Sequence, residues 1–285
     1  MKSRIFKKCL LILVVFFGLQ VSTAQTEPSD ANNSKNVVSA PPESIVKKYG
    51  LNPFYKKYLD VNGIAVTSSE KVADEALYEV RYLIHHALAN RPDILKAMAG
   101  GQTRIVVIGA KEEVSIVPEY FISDPNEAAR QNKRVRGYGG MRLTSCGEEN
   151  LLNYESDRYV GENIFLHEFG HCIHGRLRRI DPNFQSTLDR LYKEAMDKGL
   201  WERTYAATNA SEYWAEGVQD YWDCNKQSRR GQPDGIHNYV NTREELKEYD
   251  PNLFKFIDDT LGPMEWRYTR YIDRHKVEEK EPESK

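Results

Sequence analysis

The chain has 285 residues, a formal net charge of −2, 40% hydrophobic and 29% charged side chains, and four cysteines. No basic tract suits nucleic acid, since Arg176, Arg178 and Arg179 read as a solvated helix end. Beyond the first 24 residues no apolar run is long enough to cross a membrane.

Lys2, Arg4, Lys7 and Lys8 precede an apolar run from Cys9 to Val21, and Ser22, Thr23 and Ala24 supply the small residues of a cleavage site. This pattern predicts a secretory signal peptide over 1–24, cut after Ala24, and hence a secreted or periplasmic protein. No cysteine follows the run to carry a lipid anchor. Cleavage removes four positive charges and no negative ones, leaving a formal net of −6. Residues 25–44, polar and Pro-containing, read as a flexible leader, and residues 274–285, nearly all charged, as a disordered tail. The stretch 45–273 between them is enough for one domain.

Within that domain the pattern is α+β. Val72, Leu77, Val80, Leu83 and Ile84 form the apolar stripe of a helix over 69–89. Pro92 breaks it and opens a short helix ending near Ala99. The β-branched stretch 104–109 predicts a buried strand, and 114–117 a second one. Residues 122–140, polar and ending Gly137-Tyr138-Gly139-Gly140, read as loop, and 141–146 as a short strand that could offer its edge to an extended peptide. Helices are expected over 161–177, 183–198, 211–224 and 253–261. Cys146, Cys172 and Cys224 allow at most one intramolecular disulfide, which the exported context favours over buried thiols.

The helix over 161–177 carries His167-Glu168-Phe169-Gly170-His171. Four positions along a helix is about 6 Å of rise, with both imidazoles on one face, so the two histidines can share one Zn²⁺. Glu168 is rotated away beside the open position, where it can act as general base toward a zinc-activated water. His174 is about 10 Å along the axis from His167 and suits packing or support of the site, not ligation. His85, His86, His237 and His275 read as ordinary surface or packed histidines.

A catalytic zinc usually takes three protein ligands. His174 and Leu177 stand where a metzincin has Gly and His, which excludes that class. The better source is Asn209-Ala210-Ser211-Glu212-Tyr213-Trp214-Ala215-Glu216, where Asn209 or Ser211 can cap a helix and Glu212 and Glu216 share a face. One carboxylate, with Glu212 the better candidate, can bind zinc while the other orients a ligand histidine from behind.

His-Glu-Phe-Gly-His followed by Tyr205-Ala-Ala-Thr-Asn-Ala-Ser-Glu212-Tyr-Trp-Ala-Glu216 resembles the catalytic domain of anthrax toxin lethal factor and the secreted Pro-Pro endopeptidases that share it. The resemblance implies a zincin-like, gluzincin-type metallopeptidase domain with a small sheet, one Zn²⁺ per chain and a peptide or protein substrate. It assigns His167, His171 and Glu212 as ligands, Glu168 as general base, Tyr205 as the hydroxyl supporting the tetrahedral intermediate, and Glu216 as the acid behind the ligands. There is no room for the toxin's other domains, so its choice of substrate does not transfer. Two other readings use the same residues. One is a zinc hydrolase acting on an exported glycan, with Tyr138, Tyr154 and Tyr159 as stacking aromatics; the other is a non-catalytic binding module.

Overall fold

A computed structural model describes residues 37–276. The expected signal peptide, leader residues 25–36 and tail residues 277–285 lie outside the described residues. A short helix α1 (Glu43–Tyr49) leads into the hairpin β1 (Lys57–Val61) and β2 (Ile64–Ser68), followed by α2 (Asp74–Ala87), α3 (Pro92–Gly100) and β3 (Arg104–Ile108). Then come α4 (Pro125–Arg134), β4 (Leu143–Gly147), α5 (Glu148–Leu151), α6 (Ile164–Ile180) and α7 (Phe184–Asp197). The chain closes with α8 (Ala210–Tyr221), α9 (Arg243–Tyr249), α10 (Pro251–Leu261) and α11 (Tyr271–Arg274). Among the described residues no helix is long and apolar enough to cross a membrane.

The four strands lie in sequence order, β1 antiparallel to β2, then β2, β3 and β4 parallel. Asn62 and Gly63, with φ of 53° and 85°, make the two-residue turn that a right-twisted hairpin needs. β2 and β3 are buried along their whole length because both faces of the sheet are covered. On one face Ile105 and Val107 join the main core beneath α2, α3 and α6. On the other, Val106 and Ile108 pack with Leu51, Tyr55, Val114 and Val117. The largest fully buried side chains include Trp214, Trp222, Tyr213, Tyr221, Phe165, Phe169 and Phe184, which fill the space around α6 and α8.

Several expectations need correction. The strand expected at 114–117 is a 3₁₀ turn (Val114–Ile116) followed by another (Pro118–Tyr120), because both edges of β3 are already paired with β2 and β4. The loop expected over 122–140 contains α4, capped by Asp124 through the Asn126 and Glu127 amides. Leader residues from Val37 onward are built in: Ser39 pairs with Tyr58 of β1, and α1 starts at Glu43. At the other end Arg274 lies on α11, 2.5 Å from the buried Glu79 carboxylate and over the Tyr82 ring. Arg176 is no solvated helix end but is buried, donating to Gly101 O, Thr103 Oγ1 and Met141 O. Cys146, Cys172 and Cys224 are buried free thiols rather than a disulfide.

Candidate metal centre

Two helices make the site, and Gly170 lets them approach. A Cβ on Gly170 of α6 would stand 2.8 Å from Val218 Cγ2 of α8, and Trp214 Nε1–H donates to the Gly170 carbonyl at 2.9 Å. Gly217 does the same for α8 against α10, where a Cβ would stand 2.6 Å from Leu253 Cδ2. Asn163 caps α6 through the Leu166 amide, and Asn209, not Ser211, caps α8 through the Ser211 and Glu212 amides. That cap places Glu212 in the first turn of α8, facing the histidines of α6.

His167, His171 and Glu212 converge. His167 Nε2 is 3.3 Å from His171 Nε2 and 3.3 Å from Glu212 Oε2, and His171 Nε2 is 3.1 Å from Glu212 Oε2. Three donors about 2.0–2.1 Å from one tetrahedral ion would stand about 3.3 Å apart. The donor set, two imidazole nitrogens and a carboxylate oxygen, also fits a metal ion.

Behind the donors lies a polar layer. His167 Nδ1 faces Gln219 Oε1 at 2.7 Å and Glu216 Oε1 at 3.3 Å. The Gln219 amide nitrogen donates to Asn163 O at 3.2 Å, which turns its oxygen to the ring and makes Nδ1 the protonated nitrogen. Gln219 escaped sequence reasoning, although its place one turn beyond Glu216 on the same face of α8 would have nominated it. Asn225 Nδ2 bridges Glu216 Oε2 and Asp220 Oδ1. Burial and the nearby Glu216 charge push the Asp220 carboxyl well above the usual range.

The acids and histidines of the cluster shift one another's titration. Burial works against an ionised Glu212, yet His167 and His171 hold its pKa at about 2. Burial would lower the His167 pKa, but Glu212 and Glu216 outweigh it and raise it well above the ordinary value. Glu168 stands beside the cluster and outside it; burial raises its pKa against the opposing pull of His167 and His171.

Tyr205 opens a 3₁₀ turn (Tyr205–Ala207), is 40% exposed, and sets its ring 6.2 Å from that of His167. Its pKa is raised by burial and by Glu212. The turn is fixed by a loop sequence reasoning passed over: the Tyr205 amide donates to Ile236 O at 2.8 Å, and the adjacent His237 is buried, 3.3 Å from Glu162. His85 bonds the Asn62 side chain and His275 the Tyr271 carbonyl, and neither joins the cluster.

The rim above α6 also departs from expectation. Ser145 of β4 donates its amide to Tyr138 O at 2.9 Å and its hydroxyl oxygen accepts from the Tyr138 amide, so the outer edge of β4 is covered there. In the neighbouring segment 137–140, Gly139 is the exposed residue. Gly139 lies against α6, where a Cβ would stand 2.6 Å from His171 Cβ and 2.7 Å from Glu168 Oε2. Arg136 anchors this segment from inside through Glu149, at 2.5 and 2.8 Å, and the carbonyls of Gly109 and Glu112. Of the tyrosines considered as stacking platforms, Tyr138 packs edge-on to Tyr120 and Tyr159 bonds Arg134 O, leaving Tyr154 exposed at 40%.

No family model matches the chain and no curated protein does. Among solved structures it is similar to the Pro-Pro endopeptidase (PPEP-2) from Paenibacillus alvei, at 14% sequence identity and a TM-score of 0.44, over 68% of this chain and 96% of that one.

Proposed function

We propose that this chain is an exported zinc metallopeptidase of the gluzincin type that hydrolyses internal bonds of a peptide or protein. The observation that carries this reading is the triangle of His167, His171 and Glu212 donor atoms, 3.1–3.3 Å on each side, with a carboxylate beside it that is not part of it. His167, His171 and Glu212 would hold one Zn²⁺. When bound, the ion would polarise the scissile carbonyl and lower the pKa of the attacking water.

Glu168 has the position and the raised pKa of a general base that would take the water's proton and deliver it to the leaving amine. Tyr205 is the hydroxyl available to donate to the developing oxyanion, an effect worth about 3–4 kcal/mol at comparable sites. Glu216 and Gln219 hold His167 in the tautomer whose Nε2 lone pair points into the cluster. The exposed backbone of Gly139 is the edge an extended substrate would pair with, in place of the part of β4 that Tyr138 covers. Export rests on the N-terminal pattern alone.

Elemental analysis of the purified protein and its variants tests the metal assignment. Wild type should carry one zinc per chain, and His167→Ala, His171→Ala and Glu212→Ala should lose it. Glu216→Ala should keep metal with weakened affinity. A zinc-supplemented, folded wild type without zinc would overturn the reading, and zinc lost by Glu216→Ala but kept by Glu212→Ala would exchange the roles of the two acids.

A further inference from the structure

The tautomer of His167 is accounted for by Gln219. His171 needs a separate device, because its Nδ1 faces neither a carboxylate nor a carbonyl but the hydroxyl of Ser211, at 3.0 Å. The same hydroxyl lies 3.1 Å from Nδ1 of His174, the histidine that follows the motif without belonging to the donor cluster. His174 Nε2 is 2.8 Å from Gln185 Oε1, and the Gln185 amide nitrogen is 2.7 Å from Asp189 Oδ1.

Each link has only one sense. A carboxylate accepts only, so Gln185 must give Asp189 its N–H and turn its oxygen to the histidine. His174 must then carry its proton on Nε2 and leave Nδ1 bare. Burial keeps the His174 pKa below the ordinary value, consistent with a neutral ring. The bare Nδ1 accepts the Ser211 hydroxyl proton. The Ser211 oxygen is left to accept, so His171 carries its proton on Nδ1 and presents its Nε2 lone pair to Glu212 and His167.

We infer that Asp189, Gln185, His174 and Ser211 form a directed hydrogen-bond chain that selects the metal-binding tautomer of His171, making Ser211 and His174 positioning residues for the metal. The inference rests on the metal reading above. It also gives His174 a function: three residues beyond His171, it lies on the side of α6 that meets Ser211 of α8 and Gln185 of α7.

Zinc affinity, measured on the purified protein by competition with a chromophoric chelator, tests it. Ser211→Ala and His174→Phe should each bind zinc about 10–100-fold more weakly, the range seen when a group behind a metal ligand is removed. His174→Asn, whose side-chain oxygen replaces Nδ1 as acceptor for Ser211, should recover most of that loss. A merely structural role for the ring would not show this recovery. A nitrogen-resolved NMR measurement on wild type needs no variant: His174 should be protonated at Nε2 and zinc-loaded His171 at Nδ1. Wild-type affinity in a folded His174→Phe, or a His174 ring protonated at Nδ1 alone, would overturn the inference and leave the metal reading standing. A wild type that binds no zinc would overturn both.

Discussion

Glu168 differs from its neighbours in the motif because it touches none of the three donor atoms while sharing their field. Glu168→Gln should therefore keep its zinc and lose about 10²–10⁴ in rate, as expected for a missing general base. The wild-type rate should fall as pH drops through the Glu168 pKa, since only the ionised carboxylate accepts a proton; burial raises that pKa, so the acid limb should lie above the ordinary glutamate range. Steady-state rates against pH check both. Tyr205→Phe should also retain zinc and lower kcat more than it raises KM, because the hydrogen bond matters chiefly in the transition state. Asp220 gives a stability test. Its folded pKa is raised, so the folded state holds a proton that the unfolded state releases, and wild-type stability should decline as pH rises above the ordinary aspartate value. Asp220→Asn, which keeps the oxygen that accepts from Asn225, should remove this decline in denaturant titrations at pH 4.5 and 7.5. At this scale the sequence made His167, Glu168 and His171 legible because helical spacing alone puts them together. Ser211 and Arg176 were not legible in their roles, since each acts through a partner 40 or more residues away that only packing supplies; for Gln219 the helix face was legible and only its bond to His167 was not.

Elements were readable wherever an apolar stripe or a β-branched run marked them. α2, α6, α7, α8 and α10 appear within a few residues of expectation, as do β3 and β4. α4 was missed because it buries no residue and so has no stripe; only its Asp124-Pro125 start announced it. The hairpin was missed despite a strong signal, Asn62-Gly63 between apolar runs, and α9 despite a capping box from Thr242 to Glu245. The edge of β4 could not have been foreseen as covered, because its partner is a single bridge at Tyr138 and not a strand. Gly139 tests the rim. Gly139→Ala would drive a methyl group into His171 and Glu168, and should cut turnover at least tenfold. Wild-type activity in that variant would remove the rim from the account. Gly170→Ala, meeting Val218 across the helix pair, should cost about 1–3 kcal/mol of stability in denaturant unfolding.

For the whole molecule, one sheet and two crossed helices are organised so that residues far apart in the chain meet at one point. Ligands drawn from α6 and α8 mean that a bound ion would link both halves of the main core, so zinc should stabilise the fold by mass action, about 2.7 kcal/mol at a free concentration one hundred times Kd. Thermal unfolding with and without chelator reads this directly, and Glu212→Ala should abolish the difference. The fold class was legible from pattern, but the surroundings of the cluster were not, because Gly139 and Tyr205, which lie beside it, sit in segments with no period to read. The central claim is peptide-bond hydrolysis at this cluster, and mass-spectrometric profiling of a peptide library with the purified protein tests it most directly. Zinc-loaded wild type should generate internal cleavages that vanish with chelator, return with zinc and are absent from zinc-loaded Glu168→Gln. Zinc bound with no cleavage of any peptide, or cleavage undiminished in Glu168→Gln, would contradict it.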